Sequence, residues 1–164
     1  MANLSARLKA ELGRALRYVD GAPDITGLPC DALTEYGTDY MRRYYLRNSK
    51  YESVRLHHII RSDPGTTLHD HPWDYATALV KGGYTEVTPA GAVRYEAPCI
   101  LLRQAEQAHR LVLDGDMWTF IVCGRVRRRW GFHSDGGWVP WRQYPSGVSV
   151  AGCQPSAEQP SRSW

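Results

Sequence analysis

The sequence predicts a mainly β protein, a small barrel or sandwich with helices packed on it from the N-terminal side. Two observations carry this. From Ser53 to Tyr144, short β-rich runs alternate with turns such as Asp63-Pro64-Gly65, Gly82-Gly83, Pro89-Ala90-Gly91 and Asp114-Gly115-Asp116. Before Ser53 the period lengthens, and Leu4, Leu8, Leu12, Leu16 and Val19 recur at helical spacing with charges between them. A chain of 164 residues is enough for one domain with its own core.

Taken in order, a helix is expected over 4–19, ended by Gly21-Ala22-Pro23. A second is expected from Asp31 to about Tyr45, where Tyr36, Tyr40 and Tyr44 fall every fourth residue. Strands follow at Val54–Arg61, Thr77–Val80, Tyr84–Thr88, Val93–Glu96, Cys99–Arg103, Ala108–Leu113, Trp118–Val122, Arg125–Phe132 and Trp138–Tyr144. The expected divisions are a helical segment over 1–50, a barrel over 51–145 and a weakly ordered tail over 146–164, rich in Ser, Pro, Gly and Gln.

A net charge of +3 is mild. Arg125, Arg127, Arg128 and Arg129 are interrupted by Val126 and followed by Trp130-Gly131-Phe132, which reads as a strand with one solvated face and makes no case for nucleic acid. No apolar run approaches the ~18 residues of a membrane span. With no signal peptide evident, the expected location is cytoplasmic. Cys30, Cys99, Cys123 and Cys153 contain no C-x-x-C pair, so neither a zinc ribbon nor a disulfide framework is expected, and Cys99 and Cys123 read as buried small hydrophobes.

The stretch with the most chemistry is His69-Asp70-His71. On an extended backbone alternate side chains share a face, so the two imidazoles point the same way. Neutral imidazole suits Fe, Zn, Cu and Ni, and His109 is the best source of a third ligand. Of His57 and His58, alternation places one inside, where a satisfied core histidine is the expectation, although either could line a pocket. His133 sits near a turn and is expected to be exposed.

These residues resemble the cupin superfamily, whose first motif runs G-x5-H-x-H-x3,4-E-x6-G. His69, His71 and Gly83 fit it, Ala76 stands at the glutamate position, and the opening glycine is two residues late, at Gly65. Of the second motif only His109 is kept, since Gln104, Glu106 and Leu113 stand at the other marked positions. Within cupins the chain looks most similar to thiol dioxygenases of the cysteine dioxygenase type, which share His-Asp-His and hold ferrous iron with three histidines. Their Tyr-x-Arg-Asn segment resembles Tyr45-Leu46-Arg47-Asn48, and their His-Arg at the third ligand resembles His109-Arg110. Ile121 and Cys123 stand where that family has a His-x-Tyr pair, which argues against cysteine itself as substrate. The chain is also similar to small bacterial and phage cupin-like proteins with His-Asp-His-Pro-Trp-Asp, Gly-Gly-Tyr-x-Glu and Trp-Gly-Phe, present here at 69–74, 82–86 and 130–132. The resemblance implies a double-stranded β-helix (jelly-roll) barrel with a divalent metal at His69, His71 and His109. Fe(II) leads, with Mn, Ni and Zn as alternatives, and dimerisation through edge strands is common in such proteins.

Three neutral imidazoles leave the full +2 charge on a divalent ion, which favours an anionic substrate that binds the metal directly and supplies the missing negative charge. The leading reading is therefore a mononuclear Fe(II) oxygenase or dioxygenase acting on a small anion with O₂. One alternative is a metal-dependent isomerase, epimerase or lyase, with Asp74 or Glu86 moving a proton. Another is a cupin that binds a small molecule without turnover. Asp74 is either a fourth ligand swung in by a bulge or a turn cap and hydrogen-bond partner of a ligating histidine, and we take the second. Arg47, which leads, Arg55 and Arg103 are the candidates for the substrate's anionic group, with Tyr45, Trp73 and Tyr84 as further pocket residues. Trp118 and Trp130 are equally at home in a pocket wall or a core.

Overall fold

Strands carry the chain throughout the computed structural model, which describes residues 17–19 and 21–153. β1 (Tyr18–Val19) and β2 (Ala22–Pro23) form a short hairpin, and β3 (Cys30–Glu35), β4 (Thr38–Asn48) and β5 (Ser53–Ile59) follow as an antiparallel meander. Next come β6 (Leu68–His69), β7 (Tyr75–Lys81), β8 (Gly83–Thr88), β9 (Gly91–Glu96), β10 (Cys99–Arg103), β11 (Arg110–Val112) and β12 (Met117–Cys123). The chain finishes with β13 (Gly131–Ser134), β14 (Gly137–Pro140) and β15 (Val148–Gly152). Seven strands form one sheet in the order β10-β7-β12-β5-β4-β3-β15, and two three-stranded sheets, β11-β8-β9 and β14-β13-β6, complete the fold. A backbone bridge between His69 and His109 joins the two small sheets.

The large sheet is amphipathic in an unusual sense, since both faces are used. Tyr44, Leu46, Val54, Leu56 and Trp118 pack on one side under Ala22, Ile25 and Leu28. The alternate residues Arg43, Arg55, His57, Thr119 and Ile121 line a cavity of about 470 Å³ on the other. Leu56 is completely buried, and Val54 is 2% exposed. Burying such side chains contributes about 1.5–3 kcal/mol each, which makes the outer face the principal apolar core beneath the cavity floor.

The expected helix over 31–45 is instead the β3–β4 hairpin. A spacing of four is an even number, so Tyr40 and Tyr44 also fit a strand, where tertiary pairing decides between the two periods. The turn is made at Tyr36-Gly37, both with positive φ. Of the other expected helix, residues 4–16 lie outside the described residues, while Tyr18 and Val19 are in β1. The Arg125–Phe132 strand begins only at Gly131, because the Arg127 and Arg128 amides donate to the Pro72 carbonyl and hold this loop across the His-x-His stretch. The strand expected to reach Tyr144 stops at Pro140, after which Gln143 donates back to its carbonyl in a turn. β15 pairs with β3 where a loose tail was expected, and β4 and β5, on either side of residue 50, are neighbours in one sheet. No helix among the described residues is long and apolar enough to cross a membrane.

Cys30 and Cys153 form a disulfide, contrary to the expectation of unpaired cysteines, while Cys99 and Cys123 are free. Pairing of β15 with β3 brings the two cysteines together across a sequence separation of 123, which scattered spacing alone does not reveal. Two thiols per chain are therefore expected to react with a thiol reagent under denaturing, non-reducing conditions, and all four after reduction. Cys153→Ser is expected to lower the unfolding free energy by about 2–4 kcal/mol. Four reactive thiols in oxidised, unreduced protein would contradict the clasp.

Candidate metal centre

The His-x-His stretch is held residue by residue. His69 N–H donates to His109 O at 2.8 Å and His109 N–H returns the bond to His69 O at 2.9 Å. Residues paired directly across an antiparallel ladder project on one face, so both imidazoles enter the cavity. Asp70 N–H donates to Gly131 O and His71 N–H to Ala105 O, which keeps the segment extended and returns His71 to the His69 side. Asp70 points the other way and is 1% exposed. It accepts from the Gly131 amide at 2.8 Å and Trp138 Nε1 at 3.0 Å, and its Oδ2 lies 3.1 Å from His133 Nε2 and 2.9 Å from Arg128 Nη1. Gly131 cannot be replaced cheaply, since a Cβ there would stand 2.1 Å from the Val139 carbonyl oxygen.

One nitrogen from each of His69, His71 and His109 falls within 4.8 Å of the other two. The Nε2 atoms of His71 and His109 are 2.9 Å apart. His109 Nδ1 lies 2.6 Å from Glu86 Oε1 and donates to that carboxylate, which leaves Nε2 as a lone pair facing the cavity. Two neutral imidazole nitrogens this close need a proton or a cation between them. The neutral imidazole nitrogens of His69, His71 and His109 would suit a divalent ion and would be the residues that hold it.

The surrounding groups orient these ligands. Glu86, 4% exposed, also holds Arg103, whose Nε donates to Oε1 at 3.1 Å. Burial would raise the Glu86 carboxyl, but hydrogen bonds from His109 and Arg103 outweigh it and bring it down to about 2. Asp63 accepts from the Tyr40 hydroxyl through Oδ1 and, at 2.6 Å, from the Leu111 amide through Oδ2, and the same Oδ2 lies 3.8 Å from His69 Nδ1. Tyr75 Oη is 3.5 Å from His109 Nε2, and burial raises its pKa well above the usual value, keeping it an O–H donor. Trp73 stacks on His71 with ring centroids 4.9 Å apart. Burial lowers His69 to about 4 against the pull of Asp63. Burial also lowers His71 well below 6.5, and a proton on a neighbouring histidine, together with the Arg43 charge, would lower it further.

The expected site residues divide cleanly. Trp73, Tyr84, Arg55 and the three histidines line one cavity, as does Trp130. Glu86 lies behind His109 as its orienting acceptor, and Arg103 is committed to Glu86. Asp74 is exposed on the outside, bound to Arg127 at 2.7 Å and to the Ala105 amide at 2.8 Å, so it caps a turn and touches no ligand histidine. Arg47 is also outside, 2.9 Å from Glu52, because a register shift between Tyr45 and Arg47 turns it away from the cavity face. Tyr45 donates to Asp31 at 2.5 Å and lies beside Arg55. Trp118 belongs to the outer core, where it stacks on His58 at 4.3 Å. His57, expected to be a satisfied core histidine, lines the cavity with its Nε2 unpartnered. The sequence reading missed Arg43, Asp63, Asp70 and Tyr75. Tyr75 was recoverable from the alternation His71, Trp73, Tyr75, whereas Arg43 was hidden inside the stretch read as helix.

No protein-family model and no curated protein matches the chain. Solved structures do. A cupin-2 domain protein from Rhodospirillum rubrum aligns with a TM-score of 0.55 at 12% identity, over 74% of this chain and 85% of that one. A cupin 2 conserved barrel domain protein from Rhodopseudomonas palustris aligns with a TM-score of 0.55 at 14% identity, over 74% and 86%. This chain has the cupin fold. The polyketide cyclase RemF of Streptomyces resistomycificus aligns over more of the cupin chain, 80% against 95% of its own, with a TM-score of 0.54 at 16% identity.

Two outcomes are expected from this geometry. Glu86→Gln weakens metal binding about 10–100-fold by loosening His109, measured by competition with a chromophoric chelator, while His109→Ala abolishes it. The second concerns pH. The folded imidazoles of His69 and His71 stay neutral where unfolded ones take up protons, so metal-free protein loses stability as pH falls from about 6.5 toward the His69 value of about 4. A thermal midpoint that holds constant between neutral pH and that value would contradict neutral buried ligands.

Proposed function

We propose that the protein is a mononuclear metal-dependent cupin enzyme that oxidises a small organic anion with O₂, with Fe(II) as the resident ion. The observation that carries this reading is the convergence of three imidazoles in a cavity whose neighbouring acids, among the described residues, are each held by other partners. Asp63 is engaged by Tyr40 and Leu111, Glu86 by His109 and Arg103, and Asp74 lies outside. An ion so held keeps its full charge, and when bound it supplies Lewis-acid and redox chemistry at open positions that favour an anionic donor.

The chain's own residues do the rest. Glu86, locked by Arg103, holds the His109 Nδ1 proton and so aims Nε2. The Tyr75 hydroxyl beside His109 offers one neutral donor to a substrate atom. Trp130, in ring contact with both Phe132 and Trp141, lines the cavity with them and limits water. The isomerase, epimerase or lyase reading needs a carboxylate free to move a proton, and both candidates, Asp74 and Glu86, are tied up in ion pairs. That makes it the weaker reading.

The test is O₂ uptake by Fe(II)-loaded protein across a panel of small carboxylates and thiols. Uptake is expected only with both iron and an organic acid present, and is expected to vanish in His109→Ala. Tight metal and ligand binding without any turnover would point to a binding protein instead, and turnover without O₂ would restore the isomerase reading.

A further inference from the structure

The cavity contains one group that the metal ligands and their supports do not use. Arg43 on β4, with Arg55 and His57 on β5, lines the same cavity as the three histidines. In the β4–β5 register Arg43 faces His57 and Tyr45 faces Arg55. Arg43 and Arg55 are therefore diagonal neighbours on one face, roughly 7–8 Å apart at the backbone.

All three carry a buried nitrogen with no hydrogen-bond partner among the described residues, namely Nε of Arg43, Nε of Arg55 and Nε2 of His57. His57 is 8% exposed. Buried donors are almost always satisfied, and three orphans on one cavity wall mark a place built for an acceptor that the chain does not itself supply. No carboxylate of the described residues lies within ion-pair distance of either arginine. Asp31 faces Arg43 across the β3–β4 ladder, but its carboxylate takes the Tyr45 hydroxyl at 2.5 Å.

Arg55 is also positioned without spending its donors. Its guanidinium carbon lies over the Tyr45 ring at 5.4 Å and over the Trp73 ring at 5.5 Å. Aromatic faces hold a guanidinium by its flat side and leave its N–H edge free for a planar acceptor. The remaining lining is largely apolar, with Leu33, Met41, Ile59, Ile121, Phe132 and Trp130 among it. That suits a singly charged head on an apolar body better than a multiply charged, strongly hydrated phosphate.

We propose that Arg43, Arg55 and His57 form the subsite for the carboxylate of a small organic acid, whose apolar body lies along the aromatic and aliphatic lining. This deepens the preceding reading and rests on it for the metal end of the cavity. It also moves the carboxylate-holding role from Arg47 on the outer surface to a pair of arginines inside.

The test is calorimetric binding of benzoate to zinc-loaded protein, beside benzamide, which has the same body without the charge, and inorganic phosphate. Benzoate is expected to bind at least tenfold more tightly than either. Arg43→Gln and Arg55→Met are each expected to weaken benzoate at least tenfold with zinc stoichiometry unchanged. Arg55→Lys, which keeps the charge but loses the planar fork, should fall between, and it carries the comparison with Arg43→Gln if the methionine variant does not fold. Undetectable benzoate binding, equal binding of benzamide, tighter binding of phosphate or indifference to both arginine variants overturns the proposal. His109→Ala separates this subsite from the metal reading. It is expected to lose zinc and retain arginine-dependent benzoate binding, whereas binding that disappears with the metal and ignores the arginines sinks the subsite alone. If the unmutated protein takes up no metal yet binds benzoate through the arginines, the subsite stands and the metal reading falls.

Discussion

The whole site depends on one pair of backbone hydrogen bonds, those exchanged between His69 and His109. They do two jobs at once. They stitch together two small sheets that otherwise share no ladder, and they force two imidazoles onto the same side of that seam. Because side chains alternate along an extended backbone, this seam also decides where Asp70 goes. It is sent to the opposite face, where the Gly131 amide, Trp138 and Arg128 anchor it. A one-residue slip in this pairing would exchange the buried acid for the histidines and place a carboxylate in the cavity. The network around Asp70 is what opposes that slip, so a residue that never meets the cavity guards its composition.

Charge is sorted by wall. The large sheet presents Arg43, Arg55 and His57 to the cavity, and the small sheets present the three histidines. The acids at the site are held by partners, Glu86 by the Arg103 guanidinium and Asp63 by hydrogen bonds from Tyr40 and Leu111. Among the described residues the arginine wall is thereby left without a carboxylate partner, while Asp63 stands beside His69 at the other end. Burial works in the same direction by keeping His57, His69 and His71 neutral, since unpaired charge is costly away from water.

Much of this was readable from the residues, and the failures have identifiable causes. The strand-rich barrel from Ser53 onward and the shared face of His69 and His71 followed from alternation and turn chemistry, which are local signals, while His109 joined them through the resemblance to cupins. The β3–β4 hairpin did not, because tyrosines spaced by four satisfy a helix and a strand equally, and only pairing with β5 and β15 chooses between them. That one misreading hid Arg43, since a residue assigned to an outer helix cannot be placed on a cavity wall. Arg47 was misplaced for a different reason. A register shift beside it inverts which side chains face inward, and nothing in the Tyr45-Leu46-Arg47-Asn48 string announces a bulge. Asp74 sits three positions beyond His71 in a loop pinned by Arg127, an interaction between segments far apart in the chain that the sequence does not spell out. Structure was legible where it is decided by neighbours along the chain and illegible where it is decided by neighbours across it.

The last strand gives the fold a temporal order. Val148 and Val150 of β15 help line the cavity, and Cys153 ties that strand to Cys30 near the start of the described chain. During synthesis the three cavity histidines and the arginines emerge well before this wall exists. A nascent chain therefore carries every polar element of its pocket while the pocket is still open to water on one side. Ligands that require an enclosed, dry chamber can be retained only once β15 has emerged and docked.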